Sequence, residues 1–243
     1  MTDNHELVIA SIYPDLLGTY GDGGNVITLR HRASLRDIAT RIIVVQPGDP
    51  VPAQADIYVM GGGEDTAQVA ACEALRNDGS LRAAADRGAA ILAICAGYQL
   101  LGSVFPDATG SPAPGLELID ISTNRLPGRA VGELAAEPAR TQGLLGRQRF
   151  TGYENHAGGT TLGVGVEPLA RVLSGIGNGD GYGTEGAVQG HIIGTYLHGP
   201  CLVRNPDIAD QLIGWATGME LEPLDEPEVT ELRAERFRTV LGG

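Results

Sequence analysis

The sequence predicts an α/β sandwich in three layers, with a mostly parallel central sheet between helices. Three observations point there. Short runs such as Leu7–Ile12, Ile42–Val45 and Ala89–Ile94 are almost wholly apolar rather than alternating, as strands buried on both faces require. Stretches of helical period separate them, and glycine or proline marks the junctions, at Pro47 and Gly61-Gly62-Gly63 for example. Strands that alternate with helices in this way build parallel sheets, because the crossovers must be long.

In order, Leu7–Ile12 is the first strand, and the glycine-rich segment Leu17-Gly-Thr-Tyr-Gly-Asp-Gly-Gly-Asn25 is a loop. A helix over about Val26–Ile38 leads to the β-branched strand Ile42–Val45. Asp56–Met60 is a strand that runs into the three glycines, and helices over about Ala67–Arg76 and Leu81–Arg87 precede the buried strand Ala89–Ile94. Beyond about Gly110 short strands are expected at Leu116–Ile121, Ala130–Ala135, Arg149–Tyr153 and His191–Tyr196. A helix from about Pro206 to Gly218, an acidic stretch with Pro223 and Pro227, and a last helix of mixed charge complete the chain. No linker divides it, so a single domain is expected, with a core of about 7–218 and a helical tail of about 219–243.

Charge and cysteine usage narrow the function. A net charge of −13 disfavours nucleic acid and anionic membrane surfaces, which leaves small substrates and protein partners. Three cysteines fit a reducing compartment better than a disulfide framework. The start, Met1-Thr-Asp-Asn-His-Glu6, lacks the basic-then-apolar pattern of a signal peptide, so a cytoplasmic protein is expected. The charge-free run from Gly88 to Phe105 splits into a strand and a helix and is not read as a membrane span.

Cys95 stands where Ala90–Ile94 gives way to the helical Ala96-Gly97-Tyr98-Gln99-Leu100-Leu101. A nucleophile on such a strand-to-helix corner is lifted above the sheet, and small neighbours let backbone and substrate approach it. The helix N-terminus is expected to lower the thiol pKa. His198 follows the strand Ile192–Leu197 and precedes Gly199-Pro200; a neutral imidazole there could take the thiol proton and later protonate a leaving group. His5 and His31 sit in no such setting. Cys72 and Cys201 read as structural, and neither has metal-site spacing with the histidines, so no metal and no cofactor are expected.

Ala93-Ile-Cys95-Ala-Gly97-Tyr-Gln99 resembles the G-x-C-x-G-x-Q elbow of the class I glutamine amidotransferases, with Ala93 in place of the usual glycine. That resemblance implies a flavodoxin-like sandwich, Cys95 and His198 as the catalytic pair, Gln99 at the substrate, and an oxyanion hole from the backbone N–H groups of Gly63 and Ala96. Each such donor contributes about 3–4 kcal/mol when preorganised. The common members carry a glutamate two residues after the histidine. Here that position is Pro200, so either another carboxylate serves, with Asp22 and Glu154 as candidates, or the pair acts as a dyad.

The missing glutamate, Gly152-Tyr-Glu-Asn-His156 and Gly194-Thr-Tyr-Leu-His-Gly-Pro200 move the resemblance to the cobyric acid synthase-like branch. Within it, Leu17–Asn25, Arg30-His-Arg32 and Tyr196–Pro200 look like the glutaminase subunits of lipid II isoglutaminyl synthases. Those subunits pair with an ATP-using, Mur ligase-like subunit of the MurT type, and the heterodimer amidates the D-glutamate α-carboxylate of the peptidoglycan stem. The absence of a GxxxxGK[ST] motif here agrees with activation on another chain. In that family an arginine after the central Leu-Ile-Asp strand holds L-glutamine; of Arg125 and Arg129, spacing favours Arg129. Competing expectations are another cobyric acid synthase-like amidotransferase, a catalytically silent subunit of the same fold, and a DJ-1/PfpI-like cysteine-elbow protein. Intact Cys95 and His198 speak against the second, and Ala96 after the nucleophile against the third.

Overall fold

Leu7–Ile12 forms strand β1, all six of its residues buried, because it lies inside a sheet with neighbours on both edges. The computed structural model of the protein describes residues 6–18, 20–139, 145 and 148–242; His5 and Thr19 of the glycine-rich loop fall outside them. After β1 come α1 (Gly23–Ser34), β2 (Thr40–Val45), β3 (Ile57–Met60), α2 (Asp65–Asp78), α3 (Ser80–Asp86), β4 (Ala90–Ile94) and α4 (Ala96–Leu100). A second group of strands follows: β5 (Val104–Pro106), β6 (Pro112–Pro114), β7 (Ile121–Pro138), β8 (Phe150–Leu162), β9 (Ala170–Ser174) and β10 (Thr184–Glu185). The chain then returns with β11 (Ala187–Gln189) and β12 (Ile192–Thr195), and ends in α5 (Cys201–Arg204), α6 (Pro206–Thr217) and α7 (Pro227–Leu241).

The central sheet has the order β11-β12-β4-β3-β1-β2, parallel throughout except for the edge strand β11. This is the expected mostly parallel sheet with helices on both faces. Its middle is dry: Ile57, Tyr58, Ile91, Leu92 and Ile193 are fully buried, and each such side chain contributes about 1.5–3 kcal/mol relative to exposure. One consequence governs the site. The segments leaving β1, β3, β4 and β12 all emerge at the same edge, the C-terminal one, where open α/β sheets hold ligands.

The second half departs from the expected short strands. β7 runs for 18 residues and β8 for 13, paired antiparallel, and β5, β6, β9, β10 and β11 were not anticipated. Glycine concealed β8: Gly152 and Gly158 lie inside it where Cβ atoms would strike Leu197 and Gln99, so these glycines permit close packing rather than break the strand. Leu116–Ile121 is a second correction, since strand structure begins only at Ile121. The N–H groups of Leu116 and Leu118 go instead to the carbonyls of Leu100 and Leu101, at 2.7 and 2.8 Å, and satisfy the end of α4. The helix expected to reach Ile38 stops at Ser34, and Asp37 turns the chain at φ +58°.

Candidate active site

Each segment leaving the C-terminal edge delivers one part of a cleft. Cys95, immediately after β4, has φ +52° and ψ −106°, a conformation that side-chain-bearing residues seldom adopt. This strained corner holds the side chain above the sheet, and the Cys95 N–H is fixed to the Thr195 carbonyl of β12 at 2.8 Å. His198 follows β12 by three residues. Its N–H and C=O both pair with Tyr153 of β8, at 2.9 and 3.1 Å, so the second sheet clamps the histidine backbone. Glu185 helps by accepting the Tyr196 N–H at 2.9 Å and the Thr195 hydroxyl, although burial pushes its own carboxyl up to about 7.

The two side chains converge over Gly62. A Cβ at that glycine would lie 2.8 Å from His198 Cε1 and 3.3 Å from the Cys95 Cβ, so only glycine leaves room for both. The three glycines after β3 also let the β1–α1 loop pass close: Cβ atoms at Gly61 and Gly63 would collide with the carbonyls of Leu17 and Leu16. That loop carries Asp22, which is 1% exposed. Asp22 Oδ1 lies 3.2 Å from His198 Nδ1, and Oδ2 accepts the Gly62 N–H at 2.7 Å. A carboxylate accepts, so Nδ1 carries the imidazole proton and Nε2 keeps its lone pair. His198 Nε2 is buried and has no hydrogen-bond partner among the described residues.

Of the two carboxylates considered in place of the missing glutamate, the structure brings Asp22 to His198 and commits Glu154 elsewhere. Glu154 accepts the N–H groups of Ile176 and Gly177, at 2.8 and 2.9 Å, and lies 3.6 Å from His156. Strand alternation explains the division: Glu154 and His156 share one side of β8, and Asn155 between them reaches Arg129.

Cys95, Ala96, Gly63, Gln99, Arg125 and Arg129 all border one cleft that opens to solvent. Arg129 leaves β7 at an irregularity between Arg125 and Ala130, where four residues of β7 face one of β8. Such a bulge re-aims side chains. Arg129 Nε donates to Asn155 Oδ1 at 2.6 Å, which orients the guanidinium. Gln99 is held on both sides, accepting from Gln68 Nε2 at 2.9 Å and donating to the Tyr196 hydroxyl at 3.3 Å. Gln68, an isolated polar residue in a helix, escaped sequence reading, whereas Tyr20 and Asn155 stood inside the quoted segments Leu17–Asn25 and Gly152–His156 without an assigned role.

The expected low thiol pKa is corrected. Burial pushes Cys95 up to about 12; Asp22 adds to the rise, and the Ala96 N–H and Arg129 only partly oppose it. A helix of five residues has too little dipole to offset desolvation. Burial thus favours the neutral thiol, whose Sγ lies 3.9 Å from the Asn155 carbonyl. Because the thiolate form grows only as pH rises toward that value, iodoacetamide alkylation of Cys95 is expected to be slow at neutral pH and to climb steeply above pH ~9. A rate that is already flat below pH ~7 would reveal a preformed thiolate–imidazolium pair instead.

The model of the CobB/CobQ-like glutamine amidotransferase domain matches residues 8–206. The chain belongs to this family. The subunit GatD of the glutamine-hydrolysing lipid II isoglutaminyl synthase of Staphylococcus aureus is 34% identical over 237 residues, covering 96% of this chain and 94% of that one. A cobyric acid synthase of Sphingopyxis alaskensis is 35% identical over 71% of this chain but only 34% of its own length. Among solved structures, a glutamine amidotransferase of Thermotoga maritima superposes with a TM-score of 0.57 at 15% identity, covering 98% of this chain and 94% of that one, which supports the fold. Membership places this amidotransferase in the cobyric acid synthase-like branch, and a DJ-1/PfpI-like protein is not what the family match supports. Among the described residues no helix is long and apolar enough to cross a membrane.

Proposed function

We propose that this amidotransferase is the glutaminase subunit of a lipid II isoglutaminyl synthase, hydrolysing L-glutamine and passing ammonia to an ATP-dependent, Mur ligase-like partner of the MurT type in the cytoplasm. The observation that carries the reading is the meeting of Cys95 and His198 over Gly62, with Cys95 and Arg129 bordering the same cleft. Near-full-length similarity to the staphylococcal subunit supports the assignment to this synthase.

In the proposed sequence Arg129 holds the glutamine α-carboxylate through its unused N–H groups, and Gln99 borders the substrate. His198 Nε2 takes the Cys95 proton as sulfur attacks the carboxamide carbon, so a thiol with a raised pKa is activated only with substrate present. The N–H groups of Gly63 and Ala96 receive the oxyanion. Gly62 is excluded from that role, because Asp22 already takes its N–H. The imidazolium returns the proton to the departing nitrogen, ammonia leaves, and water hydrolyses the thioester to glutamate, regenerating the thiol. Asp22 holds Nδ1–H throughout.

Co-expression with a Mur ligase-like subunit, followed by mass spectrometry of stem peptides, tests the assignment. One carboxylate replaced by an amide at D-glutamate is expected. An unchanged stem, despite active glutamine hydrolysis, would move the protein to a different amidation reaction of the same family.

A further inference from the structure

The β1–α1 loop brings two side chains to His198, and the mechanism above uses only one of them. Asp22 meets Nδ1. Tyr20 lays its ring against the imidazole, with centroids 4.8 Å apart and planes tilted by 58°. Its hydroxyl lies 3.4 Å from Arg129 Nη2, with the guanidinium donating. Tyr20 therefore touches both the group that moves the proton and the group assigned to the substrate carboxylate, and it borders the same cleft as Cys95.

The chemistry of these contacts is directional. Arg129 Nε is already committed to Asn155, so the edge left for a carboxylate is Nη1 and Nη2, and the Tyr20 hydroxyl flanks Nη2. While the hydroxyl oxygen accepts from Arg129, its own proton remains available for donation. An anion seated on the guanidinium is the natural acceptor, and a hydrogen bond to a charged acceptor is stronger than one between neutral groups. The position of Tyr20 is built in: glycines at 61 and 63 admit the preceding loop backbone, Gly21 turns the chain at φ +78°, and Asp22 is tied to the Gly62 N–H.

We propose that Tyr20 is a positioning residue for glutamine: its hydroxyl donates to the α-carboxylate held on Arg129, and its ring holds His198 toward the reacting carboxamide. Capture of the amino-acid head is thereby linked to placement of the proton carrier, and molecules that bear a carboxamide without the head are handled poorly. This inference rests on the glutaminase reading above and adds a determinant of its substrate selectivity.

Labelling of Cys95 in the full chain separates the two ideas. The probes are 6-diazo-5-oxo-L-norleucine, which carries the amino-acid head, and iodoacetamide, which does not. In Tyr20→Phe the ring stays and the hydroxyl goes: the second-order rate with the diazoketone is expected to fall about tenfold and that with iodoacetamide to stay within about twofold. Tyr20→Ala, which also removes the ring from His198, is expected to alter both rates. Tyr182→Phe, at a tyrosine 83% exposed and outside the lining of the cleft, is expected to alter neither. Equal effects of Tyr20→Phe on the two probes, or none on the diazoketone, would overturn the proposal and leave the glutaminase reading standing. A native chain whose Cys95 is not labelled by the diazoketone would remove the glutaminase reading, and this inference with it.

Discussion

Cys95→Ala is expected to abolish glutamine hydrolysis, lowering kcat by at least about 10⁴-fold, with the fold intact. The loss is chemical, because of the three cysteines Cys95 alone borders the cleft: Cys72 lies in α2, 3.4 Å from the Pro114 carbonyl, and Cys201 opens α5 beside Asn205. The fold should tolerate the change. The corner at φ +52° is equally strained for alanine and cysteine, and among the described residues the polar contact of Sγ is the long one to Asn155. A stability change of about 1 kcal/mol or less is therefore expected in chemical denaturation. Retained turnover would mean that the cleft works by water activation, without a covalent intermediate.

The second large effect is expected at Asp22. Asp22→Asn keeps size and shape but offers one acceptor and one donor where the protein uses two acceptors. If the new amide oxygen takes the Gly62 N–H, its NH₂ group faces His198 Nδ1, which must then become the acceptor. The imidazole proton moves to Nε2, and the ring can no longer accept the proton of Cys95. A fall in kcat of about 10²–10⁴-fold with KM for glutamine nearly unchanged is expected from this tautomer change. Turnover within about threefold of the native enzyme would show the pair to act as a dyad.

The readable part of the sequence was the part with a repeating physical cause. Strands β1, β3 and β4 are apolar because both their faces are covered, and that pattern survives without any partner being known. Cys95 was legible because the same pattern ended abruptly at small residues. Long-range geometry was not. Nothing local says that Asp22, 176 residues before His198, ends 3.2 Å from it. The parallel order β12-β4-β3-β1 sends both following segments to the same end of the sheet and brings them together, and sequence reading left Asp22 and Glu154 as equal candidates.

The errors also have causes. Glycine was read as punctuation, yet Gly158 sits inside β8 to make room for Gln99. Leu116–Ile119 has strand-like composition, but the carbonyls at the end of α4 compete for its N–H groups. The thiol pKa was argued from a helix dipole alone. In the folded protein Cys95 is 6% exposed, and desolvation outweighs five residues of helix. Arg129 shows the opposite case: spacing found the residue, and the bulge in β7 explains why that position reaches the cleft.

Everything rests on covalent capture by one sulfur, and that can be observed directly. Protein mixed with glutamine, quenched in acid within one turnover and digested is expected to yield a glutamyl thioester on the Cys95 peptide, absent from Cys95→Ala. Glutamate formed at full rate with no such adduct, or an adduct carried by Cys72 or Cys201, would contradict the account.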